Sequence, residues 1–372
     1  MSYTLAILWH ERRRFLPAVM AVAFSALLAA LQCGLLLGTF SSVSVPIDHA
    51  DAEIWIGCPE VVTIDLGRPI PESWRSRLSL PEIEQREEYV QGYAYWRKPS
   101  GALELVIVIG SRLHKSSLGK VHALNEALCR RLTEPAAVVV DEGDAGRLGI
   151  ASEDYRAEVN GKNVKVVGKV RGLKGLPGPY LFCSLETARA ILRLRSHDST
   201  YLLARCRRSE DAAVVAERLR QRYPRDMDVL TREQFSLRSR CHWLIQTGGG
   251  TALLCAALLG LLVGAVVTGQ TLYAAALASL REYAVLRALG TPRWRIAATI
   301  QSQAFCVGVI GVLTALPAVL VLGRLAVLCG AQVQLPPWLL AGAGAITLVI
   351  ALLSGLWSQR SLRLVEPASL LR

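Results

Sequence analysis

The sequence predicts an α-helical membrane protein with four transmembrane helices and a large mixed α+β extracytoplasmic domain between helices 1 and 2. Three observations carry this expectation. Apolar residues make up 52% of the 372, and many of them lie in four long blocks free of Asp, Glu, Lys and Arg, where a soluble chain spreads them through amphipathic periods. A stretch of about 200 residues between the first two blocks mixes strand-like and helix-like patterns. Basic residues crowd the block ends: about two-thirds of the formal +12 charge lies outside residues 45–240, the placement that sets membrane topology. A nucleic-acid groove would need that charge on the folded domain, so nucleic acid is not an expected partner.

Taken in order, residues 1–15 form a cytoplasmic amphipathic segment ending in Arg12, Arg13 and Arg14. Residues 16–40 are the first span, about 37 Å of helix at ~1.5 Å per residue. The run is too long for a signal-peptide core, so it reads as a retained anchor. Residues 41–240 are the outer domain. Residues 241–280 exceed what one bilayer needs and read as a second span with a stalk extension, with Gly248, Gly249 and Gly250 as a flexible point near its outer end. A cytoplasmic loop (281–295), a third span (296–323), a short outer loop (324–337), a fourth span (338–357) and a cytoplasmic tail (358–372) follow. Arg281, Arg287, Arg293 and Arg295 in the middle loop and Arg360, Arg363 and Arg372 in the tail outnumber the lone Arg324 of the outer turn. Both termini are therefore expected inside and the large domain outside the cytoplasmic membrane. Gly34 with Gly38 and Gly260 with Gly264 have helix-packing spacing.

In the outer domain, strand patterns lie at 53–56, 103–109, 137–140, 164–170 and 201–205, with Asn160-Gly161 as a hairpin turn. Helical patterns lie at 71–80, 185–194 and 210–223, the last with Ser209 as N-cap. The glycine- and proline-rich stretch 173–179 reads as an exposed connection.

Catalytic and metal-binding patterns are missing. His10-Glu11 starts like HExxH, but Arg14 occupies the second histidine's position, and no GxSxG or GxxxxGK[ST] occurs. His114, His122 and His197 are scattered, and the acidic turn of Asp141, Glu142 and Asp144 lacks EF-hand spacing. The nine cysteines include no CxxC or zinc spacing; one disulfide pair is compatible with the sequence, which pair being open. No catalytic, cofactor-binding or metal-binding residue is assigned. Without charged groups in the span interiors, an ion-coupled transporter is disfavoured.

The middle loop reads REYAVLRALGTPRWR. Residues 281–289 suit a helix, Gly290 a left-handed stop, and Thr291 a cap with Pro292 at the first position of the next helix. Its apolar face (Ala284, Val285, Ala288, Leu289) suits a partner's groove or, equally, a lipid surface, for which Trp294 also serves. This segment, continued as REYAVLRALGTPRWRI, resembles the coupling segment of FtsX/MacB-type ABC transporter permeases. The tail RLVEPASLLR is similar to the ending of that family, and the topology resembles it over essentially the whole chain. Asp51-Ala52-Glu53-Ile54-Trp55-Ile56-Gly57 and Asp65-Leu66-Gly67-Arg68-Pro69 resemble the DevC branch, with Cys58 where that pattern has Thr.

The resemblance implies a homodimeric permease that docks a separate ABC ATPase through Glu282, Leu286, Arg287, Leu289 and Gly290. ATP and Mg would sit on that partner, with no cofactor on this chain. By the same likeness a periplasmic membrane-fusion protein and lipids are partners, and a lipid-like or amphiphilic substrate is exported or extracted at the outer side. The alternative within the family is a non-transporting, FtsX-like subunit that relays ATPase motion to an outer hydrolase. A membrane-anchored enzyme or receptor without an ATPase is the reading from a different class.

Overall fold

The computed structural model describes residues 12–152, 154–278, 285, 291–329 and 331–362. Apart from short helical turns, the helices are α1 (Arg12–Ser41), α2 (Leu185–Leu192), α3 (Ala212–Arg222), α4 (Arg232–Ile245), α5 (Gly248–Ala278), α6 (Arg293–Leu328) and α7 (Pro337–Leu362). The strands are β1 (Ile54–Gly57), β2 (Ile83–Arg97), β3 (Leu103–Ser111), β4 (Ala137–Asp141), β5 (Arg156–Val159), β6 (Lys162–Val170), β7 (Tyr180–Ser184), β8 (Tyr201–Cys206) and β9 (Asp228–Thr231). The chain divides into two compact units: Thr39–Gly250, and residues 1–38 together with 251–372.

Four stretches, lying largely in the second of these units, are long and apolar enough to cross a membrane: Phe15–Ser41, Gly248–Thr271, Ala297–Leu328 and Pro337–Leu356. Four apolar helices with a mixed strand-and-helix domain between the first and the rest is the fold class the sequence predicts.

The Thr39–Gly250 unit is organised by β2. Its first half, Ile83–Tyr89, pairs antiparallel with β8, which continues through β1 to β9. Its second half, Val90–Arg97, pairs with β3, and Trp96 and Arg97 also pair with β5. From β3 the pairing runs through β7, β4 and β6 back to β5. Six strands thus close on themselves, which removes the free edges that invite aggregation. The interior of this ring is a core of Val90, Ala94, Trp96, Val106, Val138 and Leu181, joined by Ala188 and Ile191 of α2. The open β9-β1-β8-β2 sheet carries the other core, where Trp55 meets Tyr89 edge-on at 5.2 Å and Tyr201 packs 5.6 Å from Phe235 of α4.

The expected hairpin turn is present. Asn160 (φ 48°) and Gly161 (φ 78°) make the two-residue turn between β5 and β6, both in the left-handed region such a hairpin requires. Other local expectations need correction. The 71–80 helix shrinks to Trp74–Arg77. The Ser209 hydroxyl bonds Glu53 instead of capping α3, which starts at Ala212 after a short 3₁₀ turn. The 173–179 stretch is no exposed connection: Leu173 is buried, and its N–H donates to Asp141 Oδ2 at 2.8 Å. The helix break falls at Gln246-Thr247, ahead of the three glycines, and Gly250 packs against the Trp243 carbonyl so closely that a Cβ would collide. Pro292, not Thr291, holds the N-cap position of α6.

Candidate functional site

The residues assigned to ATPase coupling, Glu282, Leu286, Arg287, Leu289 and Gly290, lie outside the described residues, as do positions 1–11 and the tail motif at 363–372. What is described is the helical unit on either side of that loop.

The contacts between its helices are small-residue and hydroxyl contacts, as expected where lipid removes the hydrophobic drive between helices. The α1–α5 pair is zipped by Ser25, whose hydroxyl lies 2.9 Å from the Gly264 carbonyl and 3.0 Å from the Thr268 hydroxyl. One turn earlier on α5, Gly260 faces the Gln32 amide of α1, and any Cβ there would strike it. Between α6 and α7, Gln301 Nε2 donates to the Leu352 carbonyl at 3.0 Å, and Gly308 and Gly355 admit Leu348 and Ala304. Phe15, Ala18 and Val22 of α1 form a buried cluster with Val307 of α6 and Ala351 of α7.

Gly34 and Gly38 are covered by the extended segment after α6, not by a helix. The Gln334 N–H donates to the Gly34 carbonyl at 3.0 Å, and a Cβ on Gly38 would collide with the Gln332 carbonyl. Leu335 is held between Gly34 and Gly323: a Cβ on either glycine would lie 2.6 Å from one of its methyl groups. The hydroxyl and amide partners, Ser25, Gln32, Thr268 and Gln301, escaped the sequence reading. Their signal is a polar side chain inside an otherwise apolar block.

In the outer unit, the titratable groups are mostly structural. Glu87 is 3% exposed, yet its carboxylate accepts from the Ser117 hydroxyl (2.7 Å), the Leu118 N–H (3.0 Å) and Gln85 Nε2 (2.8 Å). Of the scattered histidines, His114 reaches Glu87 at 3.0 Å, His122 reaches Asp51 at 2.8 Å and His197 reaches Glu72 at 3.5 Å. In the acidic turn, Asp141 accepts from the Gly143 and Leu173 N–H groups, and Arg171 pairs with Glu142. Burial, with Asp141 alongside, pushes Asp144 up to about 6. Among the described residues, no three of His, Cys, Asp and Glu converge to hold a metal ion, and the nine cysteines are free.

These features define a multi-pass membrane protein whose first and second spans flank a large folded domain. Residues 254–367, which include most of the second span, the third and fourth spans and the stretch 272–296 between the second and third, match the family model described as FtsX-like permease C-terminal. That C-terminal region is therefore similar to FtsX-like permeases. The periplasmic region of MacB from Actinobacillus actinomycetemcomitans is similar at 11% identity and a TM-score of 0.34, over 51% of this chain and 94% of that one. The extracellular domain of the noncanonic ABC-type transporter YknZ from Gram-positive bacteria is similar at 10% identity and a TM-score of 0.32, over 48% and 98%. No curated protein matches the chain.

Proposed function

We propose that this chain is the membrane-spanning subunit of a transporter that couples ATP hydrolysis on a separate ATPase to export or extraction of a lipid-like or amphiphilic substrate at the outer face of the cytoplasmic membrane. The observation that carries the reading is the family match over 254–367, which takes in the whole segment Arg281–Arg295 assigned to ATPase docking. The sequence is in keeping with this: residues 1–372 contain no P-loop and the span interiors no charged residue, so the energy source is assigned to a partner ATPase. ATP and Mg belong to that chain. By the family likeness the subunit acts as a homodimer, and the apolar face of α5, with Leu258, Leu259, Leu262 and Val266 exposed, is available to a second copy or to lipid. A periplasmic membrane-fusion protein completes the export assembly, and the DevC likeness is the reason for naming an amphiphile.

The test is a mild-detergent pull-down of the tagged chain with identification of every stoichiometric partner. An ABC ATPase supports the reading, and a membrane-fusion protein beside it supports export. A folded, dimeric chain that brings down no ATPase overturns it. The variant Leu286→Arg is expected to insert normally and lose the ATPase; normal transport with ATPase bound would remove Leu286 from the docking set.

A further inference from the structure

Arg324 is the only Asp, Glu, Lys or Arg between residues 296 and 359. It sits on α6 one turn before the helix ends at Leu328, and among the described residues no carboxylate pairs with it. Beside it lies a groove of about 450 Å³ whose other lining residues are Leu320, Gly323, Val327, Leu328, Val333 and Leu335. One wall is the end of α6. The other is the segment after it, pinned to α1 by the Gln334–Gly34 hydrogen bond, with Leu335 seated between two glycines. An apolar trough with one unpaired guanidinium at its side has the chemistry of an amphiphile turned inside out. The trough takes a hydrocarbon chain, and the guanidinium takes an oxyanion through paired N–H donors.

We propose that this groove binds one chain of an anionic amphiphile, with a phosphate-type head group on Arg324. The proposal deepens the transport reading by giving its substrate a charge, and it rests on that reading for the claim that the bound molecule is cargo. Two structural roles compete for Arg324: favourable placement near a helix C-terminus and anchoring of the span at the interface. A lysine serves either of those, so the substitutions separate them from head-group recognition only when read together with lipid binding.

The test uses the full-length chain in phosphatidylcholine nanodiscs, titrated with a spin-labelled phosphatidylglycerol in the absence of any ATPase. Expected is saturable binding near one per chain, weakened about tenfold or more by Arg324→Gln and retained within a few-fold by Arg324→Lys, which also controls for insertion. Val327→Trp, which fills the trough at an exposed position and leaves Arg324 in place, is expected to abolish it. Equal binding of phosphatidylglycerol by wild type and Arg324→Gln overturns the proposal. So does an apparent Kd for inorganic phosphate in competition equal to that of the lipid, because the trough would then contribute nothing. Binding with no ATP-driven movement of the lipid in the complete complex sinks the transport reading and leaves the site; transport without binding here does the reverse.

Discussion

Asp65 is the most unusual ionisable group of the outer unit, and it yields a quantitative prediction. It is 4% exposed, on a 3₁₀ turn (Ile64–Leu66) fastened to α4 by the bond from the Ile64 N–H to Ser239 Oγ and to β8 by the bond from the Tyr201 hydroxyl to the Ile64 carbonyl. Its hydrogen-bond donors are neutral: the Thr63 hydroxyl and Gln91 Nε2, at 3.4 and 3.2 Å, with the Trp243 indole favouring the charge more weakly. The titratable groups that feel it are Tyr89 and Tyr93 of β2, Tyr180 of β7 and Tyr201 of β8, none of which supplies a cation. Burial therefore pushes Asp65 from 3.8 up to about 7. Because the folded value is raised, the native state holds more protons than the unfolded state between those limits, and stability falls as pH rises through the window. Three units at about 1.36 kcal/mol each set an upper bound of roughly 4 kcal/mol. Asp65→Asn removes the ionisation and offers an N–H to Gln91 Oε1, which is buried without a partner. The variant is expected to match wild type near pH 4 and exceed it near pH 8, by up to about 10 °C in the apparent Tm of the full-length protein in detergent. Asp144 is raised in the same direction, to about 6, so Asp65→Asn should keep a shallower slope that ends a unit earlier. A wild-type profile flat from about pH 4 to 7, or a variant no more stable than wild type at pH 8, would refute the reasoning.

Other perturbations test the packing. Trp96→Ala, at a fully buried side chain whose indole donates to the Leu148 carbonyl at 3.0 Å, should cost about 3–5 kcal/mol in chemical unfolding, and a loss below ~1 kcal/mol would mean the ring of strands is not one core. A double-mutant cycle of Ser25→Ala and Thr268→Val should return a coupling of about 0.5–1.7 kcal/mol in a detergent unfolding assay. Gly260→Leu should drive α5 off Gln32 and lower the apparent Tm, whereas Gly248→Leu, whose Cβ would meet nothing within 4 Å, should leave it unchanged.

The membrane architecture was legible because its signal is coarse: long uncharged blocks and arginines at their ends. In the outer domain the short, mostly apolar strands β1, β3, β4 and β8 were legible, as were β6 behind its Asn160-Gly161 turn and the periodic helices α2 and α3. The longest strand, β2, was missed for a physical reason. Its sequence IEQREEYVQGYAYWR puts a buried carboxylate, Glu87, where alternation calls for an apolar residue, and its two halves face different cores. The neighbours that satisfy Glu87 come from 30 residues away, so no local pattern announces them. The start of α4 was readable and passed over: Thr231 and Gln234 form a capping box, with the Thr231 hydroxyl accepting from the Gln234 N–H and Gln234 Oε1 accepting from the Thr231 N–H. Gly34 and Gly38 were read by spacing alone, and spacing cannot say whether a helix or an extended segment covers them.

Sharing one strand between two cores has a mechanical consequence. The β9-β1-β8 side is joined to the ring through β2, whose first half pairs with β8 and whose second half pairs with β3. The helix α4 enters this path through Phe235, packed on Trp55 of β1 and Tyr201 of β8, and through Arg238, which bonds the Val61 carbonyl and Asp228. Only Gln246 and Thr247 separate α4 from α5 in the chain. Under the proposed function, in which ATPase-driven motion is conveyed to the outer domain, the short covalent connection from α4 to α5 is the segment to perturb. Inserting two glycines between Gln246 and Thr247 should therefore preserve folding of the outer domain and ATPase docking while reducing substrate movement per ATP. Undiminished coupling in that variant would place the transmission elsewhere than in the α4–α5 connection.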